Sequence, residues 1–188
     1  NVDLALAEAN KAYGINPLPL YKHLEAQIIY FKGDYAKAYD QFMALTRTNL
    51  RNGELFYEAA QCKQQLKAPF DEILTLLDSA VTAQDARLSA PYVLARGTAL
   101  HGAKQYRKAI VDYNRYDSLL QGRASHDFYY TRALCEVELR QFQQALNDYA
   151  HAIVLNRTEP TYYAEMAQLQ LRVNQKEDAV LTADLGLR

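Results

Sequence analysis

The side chains best suited to bind a metal or to react as nucleophiles are four histidines and two cysteines. They are His23, His101, His126, His151, Cys62 and Cys135. No histidine pairs with another ligand-type residue in a metal-binding pattern, and no CxxC motif occurs. The cysteines are 73 residues apart in the sequence. We therefore expect solvated histidines, no metal site and two free, buried thiols, with His126 at a helix start where capping is the simpler role.

Two carboxylate pairs, Asp71-Glu72 and Glu177-Asp178, could suggest acid–base catalysis. Adjacent residues on a helix point in different directions, so neither pair would converge on one substrate atom. Both pairs precede apolar helical patterns, where negative charge complements the helix dipole. The sequence also contains no GxGxxG, GxxxxGK[ST], GxSxG or HExxH motif. These observations predict a protein that is not an enzyme, with no catalytic residues and no cofactor.

The composition limits the class of protein. Hydrophobic residues make up 49% of the chain and charged residues 23%, which is enough to bury a core. The net charge is −1, so the basic surface that nucleic-acid binding needs is not expected. No run of 18 apolar residues is present. Only 7 Gly and 5 Pro occur, which disfavours a fold with many tight β-turns.

An internal repeat organises the chain. The segment GDYAKAYDQF at 33–42 aligns with KQYRKAIVDY at 104–113 and RQFQQALNDY at 140–149. The shared aromatic positions are Tyr35, Phe70, Tyr106 and Phe142, spaced 35, 36 and 36 residues apart, and Lys176 breaks the pattern. Three residues later come Ala38, Ile73, Ala109, Ala145 and Ala179, and four further on come Phe42, Leu77, Tyr113, Tyr149 and Ala183. This spacing predicts a repeated helix that begins near the aromatic residue.

A second helix pattern precedes each of these. Small residues recur within it at Ala26, Ala60, Gly97, Ala133 and Ala167, where a neighbouring helix can approach closely. Predicted N-caps are Asn52, Ser89, Ser125 and Thr158, with Pro91 and Pro160 in first turns. Each unit is therefore predicted to be two helices joined by a short turn. In the first such turn, Gly33 should adopt a positive φ and Asp34 should cap the next helix.

These residues resemble the tetratricopeptide repeat (TPR) family, most strongly at 19–48 and 90–156. The resemblance implies an all-α, right-handed α-solenoid of antiparallel helix pairs, with about five pairs after a leading helix. It also implies one array over 1–188, in which 2–17 is the second helix of a truncated unit and successive units follow at 19–52, 53–89, 90–125, 126–159 and 160–188. We expect the native chain to be longer and bacterial, and the exposed array ends could self-associate.

Two arginines depart from the apolar residues usual at their positions. Arg96 and Arg132 each precede the small residue of a first helix, and Asp112 and Asp148 lie at matching places in second helices. We expect structural Arg–Asp pairs that join helices, either within a unit or between Asp112 and Arg132.

First helices line the concave face of such an array, which is the expected surface for a protein or peptide partner. Projection of these helices gives the candidate contacts His23, Gln27, Tyr30, Tyr57, Gln61, Gln64, Leu94, Thr98, His101, Tyr130, Leu134, Gln168 and Arg172. Tyrosines and amides suit a peptide, whereas Glu58 disfavours the terminal-carboxylate grip of some family members. The leading hypothesis is a non-catalytic interaction scaffold.

Two alternatives stay open. One is an accessory module of a larger enzyme, sensor or secretion and outer-membrane assembly protein, whose active domain lies outside this segment. The other is carbohydrate binding by Tyr and Gln. The sequence leaves the compartment open between the cytoplasm and, after removal of a signal segment, the periplasm or outer membrane.

Overall fold

The computed structural model describes residues 2–48, 53–83 and 89–187. These residues form eleven α-helices and no strand, which confirms the predicted all-α helical-repeat fold. The helices are α1 (Val2–Ile15), α2 (Pro19–Phe31), α3 (Tyr35–Thr46), α4 (Gly53–Gln65), α5 (Phe70–Ala83), α6 (Ala90–Gly102), α7 (Tyr106–Leu119), α8 (His126–Glu138), α9 (Phe142–Leu155), α10 (Pro160–Arg172) and α11 (Lys176–Gly186). The chain divides into two compact units, Asn1–Arg96 and Gly97–Arg188. Within the described ranges, no helix combines the length and apolar character needed to cross a bilayer.

The repeat positions coincide with the helix starts. Helices α3, α5, α7 and α9 begin at the four predicted aromatic residues, and α11 begins at Lys176. Helices that form one two-helix motif pack against each other, for example α2 with α3 and α8 with α9. Residues that are 35 or 36 positions apart therefore occupy equivalent positions in successive two-helix motifs.

The core contains both small and large side chains. Ala26, Ala60 and Ala133 are fully buried, and so are Tyr113 and Tyr149. Phe42 and Leu77, at the equivalent repeat position, are also fully buried. In the last repeat this position is Ala183, which is exposed, and the adjacent Thr182 is buried instead. Gly97 is tightly packed, because a Cβ there would lie 3.1 Å from both Asp112 Cβ and the Tyr113 ring. The small residues thus let first and second helices approach closely, as predicted.

The turn between α2 and α3 also matches its prediction. Gly33 has φ +86°, and the Asp34 carboxylate accepts a hydrogen bond from the Lys37 amide at 3.2 Å. Positive φ recurs after the later first helices at residues of other types: Lys67 (54°), Lys104 (58°), Arg140 (59°) and Asn174 (64°). The left-handed conformation is therefore common to the turns, although glycine is not.

The predicted N-caps have different outcomes. Ser125 caps α8, and its hydroxyl accepts a hydrogen bond from the Phe128 amide at 3.3 Å. Thr158 is wrong as the cap of α10. Glu159 directly precedes that helix, and its carboxylate accepts from the amide of Thr161 at 3.2 Å and from its hydroxyl at 2.6 Å. Asn52 lies outside the described residues.

An Arg–Asp pair joins α8 to α9, as predicted. Arg132 donates two hydrogen bonds to Asp148, at 2.6 and 2.9 Å, and one to Asp117 of α7 at 2.9 Å. Arg96 donates to Asp78 of α5 at 2.8 Å. Asp78 and Asp117 were not among the predicted partners, because the partner helix could not be chosen from the sequence.

Candidate functional site

The predicted binding residues lie on the first helices of their motifs and differ in exposure. His23 is buried; Gln27, Tyr30, Tyr57, Gln61, Leu94, His101, Tyr130 and Leu134 are half-buried; and Gln64, Thr98, Gln168 and Arg172 are exposed. In the second unit, Tyr130 and Leu134 pack against the buried cluster of Ala133, Tyr149 and Leu169. These two side chains therefore support the core as well as presenting some surface.

In the first unit, a polar cluster forms around Glu58 of α4. His23 Nε2 of α2 lies 2.5 Å from Glu58 Oε2, and Gln27 Nε2 donates to Glu58 Oε1 at 2.6 Å. The His23 and Glu58 side chains are only 11% and 13% exposed. The expectation that His23 is solvated is wrong, because a carboxylate from the next first helix covers its imidazole. We name His23, Gln27, Glu54 and Glu58 the Glu58 cluster.

The electrostatics of the Glu58 cluster favour a protonated imidazole. The hydrogen bond to Glu58 raises the pKa of His23, burial opposes this, and the charges of Glu58 and Glu54 raise it further. One ligand atom from each of His23, Glu54 and Glu58 lies within 4.8 Å of the others. The sequence did not reveal this group, although Glu58 follows His23 by 35 residues, one repeat length.

A small cleft adjoins the cluster. It encloses about 90 Å³ and is lined by Gln27, Tyr30, Phe31, Phe42, Glu58 and Gln61. The Tyr30 ring contacts the Tyr35 ring edge-on at a centroid distance of 5.2 Å, and Phe31 is 79% exposed. Sites for drug-sized ligands usually enclose at least about 300 Å³. The cleft is therefore the size of a pocket for a single side chain.

An aromatic pair continues this surface. The rings of Tyr57 on α4 and Tyr92 on α6 lie 5.3 Å apart. Burial raises the pKa of Tyr92, and the charges of Glu54 and Glu58 raise it further. Tyr92 was missed in the sequence, although it follows Tyr57 by one repeat length.

The other histidines have distinct surroundings. His126 Nδ1 lies 2.8 Å from the Tyr162 hydroxyl, which donates to Asp127 at 2.8 Å. Ser125, not His126, caps this helix. His101 is half-buried with Nδ1 3.2 Å from the Tyr113 hydroxyl, and burial lowers its pKa. His151 is exposed and stacks on the Tyr129 ring at 4.7 Å.

The two cysteines are free and buried, as predicted. Burial is the main cause that raises the pKa of Cys62 to about 12 and that of Cys135 to about 11. The thiolate is the reactive form of cysteine, and a raised pKa disfavours it. Both side chains therefore contribute to packing.

Solved structures with the same fold include YrrB, described as a TPR protein with an unusual peptide-binding site. It has a TM-score of 0.79 and 14% identity, over 95% of this chain and 90% of YrrB. MamA from Desulfovibrio magneticus RS-1 has a TM-score of 0.76 and 15% identity, over 90% of this chain and 93% of MamA. BtubC from P. vanneervenii has a TM-score of 0.75 and 12% identity, over 100% of this chain and 87% of BtubC.

Neither a protein-family model nor a curated protein sequence matches the chain. At such low identities, the likeness to solved structures concerns the fold. The recurring aromatic and small residues have the positions that the two-helix motif requires, and the neighbours agree over nearly the whole length. The chain therefore has the fold of the tetratricopeptide repeat proteins.

Proposed function

We propose that this protein is a non-catalytic interaction scaffold that binds a peptide or partner segment on the exposed face of its first helices. The observation that carries the proposal is the surface of α2 and α4, where half-buried Tyr30 and Gln61 line the 90 Å³ cleft. Half-buried Tyr57 directly precedes Glu58, which also lines it. Tyrosine offers a large, stiff contact area with a polar tip, and glutamine both donates and accepts hydrogen bonds.

The shape of the surface favours an extended segment. A pocket for one side chain gives an anchor, and the neighbouring Tyr57–Tyr92 pair gives further apolar area next to it. Polypeptide binding commonly depends on a few such anchored side chains. YrrB, which has a peptide-binding site according to its description, shares the fold and supports this assignment by analogy.

The charge of the surface selects among peptides. Glu58 lines the cleft, and Glu54 lies nearby on the same helix. Two carboxylates beside one imidazole disfavour the binding of a peptide's terminal carboxylate or of a phosphate group. We therefore expect the bound segment to place an uncharged or basic side chain in the cleft.

The test is selection of binding peptides from a displayed library on the 188-residue chain, followed by fluorescence polarisation with the selected peptide. In the double variant Tyr57→Ala/Gln61→Ala, we expect the Kd to rise by about tenfold or more, as for other aromatic anchors. The control is Tyr39→Ala/Gln143→Ala, on the second helices α3 and α9, with unchanged affinity.

Two results would contradict the proposal. Wild-type affinity in the Tyr57→Ala/Gln61→Ala variant would assign the peptide to another surface. A thermal shift produced by a sugar, in a protein that selects no peptide, would favour carbohydrate binding instead.

A further inference from the structure

We propose that His23, Glu54 and Glu58 form a binding site for a divalent transition-metal ion, with Zn²⁺ as the representative ion. The three side chains come from two neighbouring helices, α2 and α4, and each places a ligand atom within 4.8 Å of the other two. This departs from the expectation of no metal site, because the sequence shows the ligands only when two helices are considered together.

The donor set suits such an ion. An imidazole nitrogen and two carboxylate oxygens are ordinary ligands for Zn²⁺, at bond lengths of about 2.0–2.2 Å. Hard ions such as Mg²⁺ prefer oxygen ligands in octahedral geometry and are disfavoured by the imidazole. Three protein ligands leave a fourth tetrahedral position open to water or to a donor group of a bound partner.

Neighbouring contacts hold two of the three ligands. Gln27 fixes Glu58 Oε1, which leaves Oε2 facing His23 Nε2. The Phe42 ring meets the His23 ring edge-on at a centroid distance of 5.9 Å and limits its rotation. Partners of this kind orient ligands and raise metal affinity.

Glu54 is the adjustable ligand. It is exposed in the first turn of α4, so its carboxylate can rotate toward the other two without disturbing the core. Glu54 and Glu58 are one helical turn apart and therefore lie on the same side of α4.

The ion must replace a proton. His23 Nε2 lies 2.5 Å from Glu58 Oε2. The two atoms have to move apart, and the nitrogen has to lose any proton, before both can bind one ion. The groups that face it, Glu54 and Glu58 of α4, favour both the proton and the metal. Affinity should therefore increase with pH in the range where His23 titrates.

The experiment is isothermal titration calorimetry of the 188-residue chain with ZnCl₂, repeated for two variants. The wild type should bind one equivalent of Zn²⁺, and Glu54→Gln should weaken binding by at least about tenfold. Because Glu54 is exposed, this variant should fold normally, which circular dichroism checks. The matched control is Glu177→Gln, which removes an exposed first-turn carboxylate of α11 and should bind like the wild type.

Co²⁺ gives an independent measurement of the site. Its visible absorption should report tetrahedral coordination in the wild type and be weaker in Glu54→Gln at the same Co²⁺ concentration. Mg²⁺ in excess should not displace the bound Co²⁺. Absence of saturable Zn²⁺ uptake by the wild type would overturn the proposal. Equal Zn²⁺ affinities for the wild type and Glu54→Gln would also overturn it.

Discussion

His23 on α2 and Glu58 on α4 are 35 residues apart in the sequence, and their side chains meet at 2.5 Å. The same separation joins Asp127 and Tyr162, at 2.8 Å. Within each compact unit, two successive first helices therefore face each other in the same register, so that a residue of one meets the residue a repeat length later. Polar contacts between these helices follow the period of the repeat just as the core does.

The His23–Glu58 contact should make stability depend on pH. Glu58 raises the pKa of His23 above 6.5, and the facing Glu54 adds to this. A group whose pKa rises on folding stabilises the protein below its unfolded pKa, and this contribution disappears as the pH rises through the folded pKa. Between about pH 5.5 and 8.5, thermal melts of the wild type should show this loss, and Glu58→Gln should lack it.

Two controls separate this contribution from general effects of charge. Glu177→Gln should keep the wild-type pH dependence, since its carboxylate is exposed at the start of α11. An NMR titration of the His23 ring should also give a lower pKa in Glu58→Gln. Equal slopes for the wild type and Glu58→Gln would show that the contact does not stabilise the folded protein.

The helices could be predicted from the sequence, whereas the polar cluster could not. Tyr35, Tyr106 and Phe142 recur at fixed spacing because each begins the second helix of its motif. Local sequence patterns were therefore sufficient to predict the helices. The pairing of His23 with Glu58 depends on how two helices rotate against each other, and neither local pattern contains that information. Arg132 shows an intermediate case, because Asp148 was expected as a partner and Asp117 was not.

Arg132 should be the most sensitive charged residue of the second unit. Its side chain is 12% exposed and neutralises Asp148, which is 8% exposed, as well as Asp117. Arg132→Leu leaves these carboxylates uncompensated and should lower the free energy of unfolding by about 3–5 kcal/mol. Urea denaturation measures this.

The control for Arg132 is an exposed ion pair. Lys32 contacts Asp3 at 2.5 Å with side chains 40% and 77% exposed. Lys32→Met should cost less than about 1 kcal/mol, since water already screens the pair. Similar losses in Lys32→Met and Arg132→Leu would contradict the distinction between exposed and buried pairs.

Glu136 should destabilise the protein at alkaline pH. It is 6% exposed, and among the described residues no group hydrogen-bonds its Oε2. Burial, with the charge of Asp148, raises its pKa from 4.5 to about 7 despite the opposing charge of Arg132. The stability that the neutral carboxyl confers is present below pH 4.5 and is lost as the pH rises through about 7.

Glu136→Gln keeps the side-chain shape and removes the charge. The variant should exceed the wild type in unfolding free energy by about 1–3 kcal/mol at pH 8, and the difference should shrink toward pH 5. Glu138→Gln, an exposed change on the same helix, should show no such pH dependence. A pH-independent difference for Glu136→Gln would exclude titration as its cause.

The effect of a substitution at a turn residue on stability should depend on the φ angle of that residue. Gly33 and Arg140 both have positive φ, at 86° and 59°. Gly33→Ala should cost about 1 kcal/mol, because a Cβ is disfavoured there. Arg140→Gly should instead stabilise the fold, because glycine relieves the strain of the positive φ. Glycine also adds conformational entropy to the unfolded chain, so the net gain in unfolding free energy should be only a few tenths of a kcal/mol.

Gly102→Ala is the control for these variants. Gly102 ends α6 without positive φ, and a Cβ there meets no atom within 4 Å, so the change should stabilise slightly. Urea denaturation of the three variants would refute this account if Gly33→Ala and Gly102→Ala changed stability in the same direction.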